Sequence, residues 1–174
     1  MEKFITPQGM WRDILMDANN RVVQDSGWLA NTIVDRCRSL LAGFMKNESS
    51  AGIQYLAVGQ GMTDWDISGV PAPDPTATDL ITRYSPTITV TPSDMVFLDE
   101  TNSPLPGPTN RLQITVTLAP GYPAPIAPLS TYPLREFGLF GNFGGVDYMI
   151  NSVRHPVIHK DESATLVRVM RLVF

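Results

Sequence analysis

Cysteine and histidine are scarce in this chain of 174 residues, which has one cysteine, Cys37, and two histidines, His155 and His159. A single cysteine excludes an intramolecular disulfide and a cysteine-based zinc cluster. Cys37 falls on the apolar side of a predicted helix that supplies no adjacent histidine. We therefore expect its thiol to be buried as a small hydrophobic group and not to act as a nucleophile.

Charge is also low, because Asp, Glu, Lys and Arg make up 17% of the chain. The usual share in soluble domains is about 25%, so we expect neighbouring subunits to cover part of the surface. The formal net charge is −4 and the basic residues are scattered. This disfavours direct binding to nucleic acid, which needs a concentrated basic face.

Long apolar runs are missing as well. No stretch approaches the roughly eighteen apolar residues of a membrane-spanning helix, and the first residues, MEKFITPQGMWRD, lack the apolar core of a signal peptide. We therefore expect no membrane partner, and synthesis and assembly in a cytoplasm.

The length predicts a single domain over residues 1–174. We expect it to be mainly β: an antiparallel β-sandwich with one packed α-helix near the N-terminus, at about residues 31–46. Residues 1–50 would form a hairpin plus this helix. Residues 51–174 would form the sandwich, with proline-rich loops at 68–86 and 99–133.

Two local patterns define the N-terminal part. Residues 10–24 predict a hairpin, because apolar arms flank the turn-forming sequence Asp-Ala-Asn-Asn. Asn31 is a plausible N-cap for the helix that follows. The helix itself is predicted from one apolar stripe at helical spacing, formed by Ile33, Val34, Cys37, Leu40, Leu41 and Phe44.

Strand patterns dominate the remainder. IQYLAV at 53–58 predicts a buried strand, and residues 111–118 alternate strictly between apolar and polar side chains. The last forty-one residues contain three apolar runs. A glycine-rich turn (Gly138, Gly141, Gly144 and Gly145) and a charged turn (His159 to Glu162) separate them. The final run extends to Phe174, and we expect it to be a paired and packed strand.

Candidate reactive residues are few. His155 and His159 lie in the sequence HPVIH, where Pro156 disfavours a helix. On a strand their side chains would stand about 13 Å apart, too far for one metal ion unless the chain bends at Pro156. Loop or interface histidines are the favoured interpretation, and a metal-dependent hydrolase centred on this pair is a competing hypothesis.

Three other motifs are weak. Gly59 and Gly61 follow a strand but open no helix, so they predict a turn and not a nucleotide site. Asp64 and Asp66 favour loop stabilisation, since a calcium loop requires more oxygen ligands. Glu136, between Arg135 and Phe137, favours an ion pair over a general acid. We predict no enzyme activity, no cofactor and no metal.

The segments YLAVGQG, LREFGLFG, HPVIHK and the terminal strand LVRVMRLVF together resemble structural proteins of tailed-phage tails. The resemblance is to tail-collar and tail-fibre-type modules and to their relatives in contractile injection systems. It covers about two-thirds of the chain, mostly its ends, and the proline-rich middle matches none of it. It implies a structural component of the virion at the neck, baseplate or fibre base.

On this resemblance we expect a symmetric homo-oligomer, a hexameric ring or a trimer, that also contacts other phage tail proteins. A receptor- or carbohydrate-binding β-sandwich of a tail fibre is the alternative. Aromatic side chains in loops are the expected anchors of subunit contacts. The candidates are Trp28, Trp65, Tyr122, Tyr132 and Phe143.

Overall fold

The computed structural model describes residues 7–48, 50–123 and 131–174. The predicted fold class is confirmed: the chain is mainly β and its strands pair antiparallel. These described residues contain two α-helices, α1 (Asp35–Met45) and the short α2 (Trp65–Ser68), with a 3-10 helix at Pro92–Asp94. The strands are β1 (Gln8–Met16), β2 (Val22–Asp25), β3 (Leu29–Ile33), β4 (Ser50–Gly59), β5 (Ile88–Thr89), β6 (Met95–Leu98), β7 (Pro104–Leu105), β8 (Arg111–Leu118), β9 (Thr131–Phe143), β10 (Val146–Met149), β11 (Asn151–Asp161) and β12 (Thr165–Val173).

The strands form two layers that share one connecting strand. In the first layer β1 is followed by β12, β8, β6 and β7, and β2 pairs with the end of β1. In the second layer β5, β4, β9 and β11 lie side by side, with β10 paired to β9. The short β3 pairs with β1 on one side and with β11 on the other. It therefore closes one side of the sandwich.

Alternation along the central strands places the core between these layers. In β12 the side chains of Leu166, Arg168, Met170 and Leu172 are buried, whereas the intervening ones are half-exposed. β12 pairs along its whole length with β1 and with β8. The expectation that the final apolar run is a paired and packed strand is therefore confirmed.

The helix begins later than predicted. Residues 29–33 form β3, so Asn31 lies in a strand and the N-cap position belongs to Val34, whose side chain makes no capping hydrogen bond. The backbone of these residues pairs with β1 and β11. The local sequence pattern favoured a helix because it carries no information about these distant strands, whose pairing overrides local propensity. The predicted helix is thus four residues too long at its start, whereas its apolar stripe does face the core through Cys37 and Leu40.

The predicted glycine-rich turn is two different features. Gly144 and Gly145 form the turn between β9 and β10, with φ of 58° and 82°. Gly138 and Gly141 lie inside β9, where neighbouring backbone leaves no room for a side chain. A Cβ atom on Gly141 would stand 2.6 Å from the carbonyl oxygen of Gly52.

Candidate functional site: an apolar cavity, a buried polar cluster and an apolar sheet face

An apolar cavity of about 430 Å³ lies between α1 and one end of the sandwich. Among the described residues, its lining contains no charged side chain. α1 contributes Cys37, Leu40, Leu41 and Phe44, and the opposite wall is built from strand residues. The remaining lining residues are Gly52, Ile53, Pro92, Met95, Phe97, Leu112, Ile150, Leu172 and Phe174. Its size and apolar lining are typical of a ligand pocket.

One row of neighbouring residues forms the sheet wall of this cavity. Leu172 on β12 pairs with Leu112 on β8, and Leu112 pairs with Phe97 on β6. Directly paired residues present their side chains on the same face of a sheet. The three side chains therefore meet the cavity together.

Cys37 lines the cavity, but its thiol is not poised for nucleophilic chemistry. Burial raises the pKa of Cys37 to about 11, and the nearby charge of Arg38 opposes this only in part. The reactive form of a cysteine is the thiolate, so Cys37 stays protonated at neutral pH. The cavity thus presents an apolar lining in which the Cys37 thiol is protonated.

A buried polar cluster lies deeper between the layers. Arg168 on β12 donates to Asp13 on β1 through Nε at 2.7 Å and Nη2 at 2.5 Å. The guanidinium also lies over the ring of Phe137, with Cζ 3.6 Å from the ring centroid. The side chain of Arg168 is fully buried and that of Asp13 nearly so. The cluster therefore joins β1, β12 and β9 inside the core.

His155 completes this cluster from β11. Its Nε2 lies 3.3 Å from Nη2 of Arg168, and its Nδ1 lies 2.8 Å from the carbonyl oxygen of Pro156. Arg168 can only donate, so Nε2 accepts and Nδ1 carries the proton. Burial, followed by the charge of Arg168, lowers the pKa of His155 to about 4. The imidazole is therefore neutral at pH 7 and has a structural role.

The two histidines do not form a shared site. His155 is buried in the cluster, whereas His159 lies exposed further along β11. Within residues 7–48, 50–123 and 131–174, no group of three or more His, Cys, Asp or Glu side chains is arranged to hold a metal ion.

Arg135 and Glu136 hold a loop and do not pair with one another. Arg135 binds Asp66 through Nε at 2.8 Å, and this hydrogen bond lowers the pKa of Asp66. The carboxylate of Glu136 accepts backbone N–H groups of Thr82, at 2.9 Å, and Ile81, at 3.1 Å. The expected ion pair of Glu136 is thus wrong, because amide hydrogen bonds take its place. The loop-stabilising role of Asp66 is present.

The candidate interface residues Trp65 and Tyr132 are buried. Trp65 is the first residue of α2 and Tyr132 lies in β9, so neither is in a loop as predicted. Arg135 of β9 binds Asp66, the residue that follows Trp65 in α2, and so holds α2 against β9.

The other three candidates are half-buried. Trp28 lies in the connection before β3, and the guanidinium of Arg171 covers one face of its ring at 4.0 Å. Tyr122 donates its hydroxyl proton to the carbonyl oxygen of Pro86 at 2.7 Å. Phe143 ends β9, not a loop, and stacks edge-on with Tyr148. These three rings retain some contact with solvent.

A surface that the sequence reasoning missed is the outer face of the first layer, here called the outer sheet face. It is defined by Met10, Ile14, Val167, Val169 and Val173, which point away from the core on the adjacent strands β1 and β12. Met10 is 44% exposed and the other four are half-exposed. A signal was present in the sequence, because β12 carries apolar residues at outward as well as inward positions.

Comparisons with known proteins identify no relative: no family model, no curated protein and no solved structure matches this chain. None of the helices in the described part of the chain has the length and apolar character needed to cross a membrane.

Proposed function

We propose that this protein is a non-enzymatic structural component of a phage tail, located at the neck, the baseplate or the point of fibre attachment. It assembles into a symmetric homo-oligomer and contacts other tail proteins. The tail assignment rests on the sequence resemblance of the YLAVGQG, EFGLFG and terminal-strand segments. The assembly role rests on the surface of the structure.

The outer sheet face is the observation that carries the assembly role. Ile14 and Val167 are direct cross-strand partners, and Val169 follows two residues further along β12. The apolar side chains share this face with Arg12, which lies opposite Val169, and with Arg171, which lies opposite Met10. Exposed apolar side chains that are rimmed by polar residues are typical of a protein–protein contact. In a soluble antiparallel sheet the solvent face is expected to be polar. A neighbouring subunit is the covering layer that these side chains require.

The chemistry of the polar groups supports a role without catalysis. His155 and Arg168 are enclosed in the core, and each bonds to groups of its own chain. Glu136 and Asp66 hold the loop at residues 60–84 against β9. These groups stabilise the fold and do not converge on a space that a substrate would enter.

Light scattering coupled to size-exclusion chromatography tests the assembly role. We expect the full chain to elute as a single closed oligomer at tens of micromolar. Val169→Lys should yield a folded monomer, because a charge would be buried in the contact. Gln54→Lys adds the same charge at an exposed position of β4 and should leave the oligomer intact. A wild-type chain that remains monomeric would refute the proposal.

Labelling of particles tests the tail assignment separately. Antibodies against the chain, followed by electron microscopy of tail particles from a culture that carries its gene, should label one defined level of the tail. If tail particles purified from such a culture lack the protein, the tail assignment is wrong even where the oligomer exists.

A further inference from the structure

The apolar cavity is open to solvent. Phe44 of α1 and Phe174 after β12 border its mouth, and they are 39% and 38% exposed. Five further lining residues are half-buried, namely Leu41, Ile53, Met95, Phe97 and Leu112. Contact between water and apolar surface is unfavourable. An apolar side chain that enters the cavity from outside would therefore be stabilised there.

A side chain suited to such a site projects from α2. Ile67 is 92% exposed, which makes it the most exposed large apolar residue in the described part of the chain. Trp65, two residues earlier, is buried. Two positions of an α-helix differ by about 200° around its axis, so the burial of Trp65 turns Ile67 outward. Met62, just before α2, is also exposed, at 47%.

α2 is tied to the sheet, so Ile67 is held in one position. Arg135 of β9 donates to both carboxylate oxygens of Asp66, at 2.8 and 2.6 Å. The guanidinium of Arg154 on β11 lies over the ring of Trp65, 5.4 Å from its centroid. A group that is already fixed loses less conformational freedom when it binds. Ile67 is thus a preorganised anchor for a contact.

The cavity and α2 lie at opposite ends of β4. Ile53, near the start of β4, lines the cavity, whereas the chain leads into α2 after Gly59 at the other end. Arg135, which holds α2, is the neighbour of Glu136, and Glu136 pairs with Gly59. The strand rise from Ile53 to Gly59 is about 20 Å. Ile67 therefore cannot fill the cavity of its own chain, but it can reach the cavity of another copy.

We propose that the apolar cavity is the docking site for a second copy of this chain, which inserts Ile67 of its α2 between Phe44 and Phe174. The contact joins two different patches, the α2 end of one copy and the cavity end of the next. Such a contact is heterologous and repeats head to tail. It uses no residue of the outer sheet face, and it does not depend on the proposed role in a tail.

The lining favours an inserted apolar side chain over an inserted peptide strand. A strand would carry backbone N–H and C=O groups into the cavity, and a buried polar group without a partner is costly. Among the described residues, those that line the cavity provide no charged or amide side chain to satisfy such groups. Ile67 brings only hydrocarbon, and its own N–H already donates to the carbonyl oxygen of Asp64 at 3.1 Å.

Nuclear Overhauser effects in a mixed sample test the contact. Equal amounts of chain with carbon-13-labelled isoleucine methyl groups and of unlabelled chain are combined, both carrying Val169→Lys so that the outer sheet face does not contribute. The anchor is small, so the sample is studied at several hundred micromolar. We expect intermolecular effects between the Ile67 methyl groups and the rings of Phe44 and Phe174. Their absence would overturn the docking of Ile67.

Complementary variants of the same Val169→Lys chain separate a second copy from other occupants. Ile67→Asp removes the inserted side chain and keeps the cavity, whereas Leu41→Trp fills the cavity and keeps Ile67. In sedimentation velocity each variant alone should remain monomeric, and their equimolar mixture should form one-to-one dimers. Phe44→Asp, at the exposed mouth, is a second cavity variant with the same expectation. Circular dichroism checks the folding of each variant.

Val22→Asp is the matched control, because it places the same charge at another exposed apolar position. It should associate as the parent Val169→Lys chain does. A mixture of Ile67→Asp and Leu41→Trp that stays monomeric would overturn the head-to-tail contact. Native mass spectrometry that finds a co-purified lipid in the cavity would also overturn it, in favour of a small apolar ligand. Val169→Lys and Ile67→Asp act on separate contacts, so this proposal and the assembly role can each fail alone.

Discussion

Asp13 and Arg168 lie directly opposite each other on β1 and β12 and share two hydrogen bonds inside the core, although 155 residues separate them in the chain. A contrasting pair lies at the surface, where Arg12, the neighbour of Asp13 on β1, bonds to Asp25 on β2. The buried pair fixes which face of each strand points inward. A register shift of one strand by one residue would move one charged side chain to the surface and leave the other buried without its partner.

Removal of one partner of the buried pair is expected to be severe. Asp13→Ala would leave the guanidinium of Arg168 buried without its counter-ion, at a cost of about 3–5 kcal/mol. Urea denaturation should show this destabilisation as a lower urea concentration at the unfolding midpoint of Asp13→Ala. The double variant Asp13→Leu with Arg168→Met should recover most of the loss, since apolar groups replace both charges.

Arg12→Ala is the matched control for that experiment. It removes the ion pair with Asp25 from the same strand, and solvent-exposed pairs contribute little. The urea midpoint of Arg12→Ala should therefore stay close to that of the wild-type chain. An equal loss in Asp13→Ala and Arg12→Ala would contradict the distinction between the buried and the exposed pair.

The stability of the protein should fall in mild acid because of His155. Its pKa is about 4 in the folded chain and 6.5 as the ordinary value, so the unfolded chain takes up the proton first as pH falls. The stability that neutral His155 contributes is present above pH 6.5 and is lost as the pH falls from 6.5 to 4. By pH 5 the loss in the free energy of unfolding reaches about 2 kcal/mol. Denaturation at pH 7 and pH 5 measures this loss.

His155→Gln should flatten this pH dependence, whereas His159→Gln, at an exposed position of the same strand, should keep it. The aspartates with lowered pKa, Asp25 among them at about 2, titrate below this window. A slope between pH 7 and pH 5 that survives His155→Gln would show that another group is responsible.

Gly141 should resist substitution although it lies in a strand. In Gly141→Ala the new methyl group would meet the carbonyl oxygens of Gly52 and Ala51 at 2.6 and 2.9 Å. Backbone cannot move aside cheaply, so we expect a loss of about 1–3 kcal/mol. Thermal unfolding should place Gly52→Ala near wild type, because its Cβ would find nothing closer than Phe44 at 3.9 Å.

Glu136 should control the order of the loop that precedes β5. Glu136→Gln replaces one carboxylate oxygen with a donor that faces a backbone N–H group, at a cost of about 1–3 kcal/mol. Hydrogen exchange at the amides of Ile81 and Thr82 should accelerate. Asp99→Asn alters a carboxylate that also accepts two backbone amides, but in a surface turn, and should leave those two amides protected.

Much of the fold was predictable because its signals are local. The strict alternation of Arg111 to Leu118 predicts β8, and the apolar stripe that contains Cys37 and Leu40 predicts α1. The proline-rich stretches predict long connections, although residues 124–130 lie outside the described part of the chain. For these elements the side-chain pattern alone selects the backbone conformation.

The sequence by itself determined that this chain is mainly β, with one amphipathic helix and no local catalytic motif. Only the tertiary structure decided that Asn31 belongs to a strand, that Asp13 pairs with Arg168, and that β9 needs glycine at 141. Each of these depends on backbone pairing between segments far apart in the chain. Strand register brings such residues together, and no pattern within a short window of sequence encodes which distant partner each will meet.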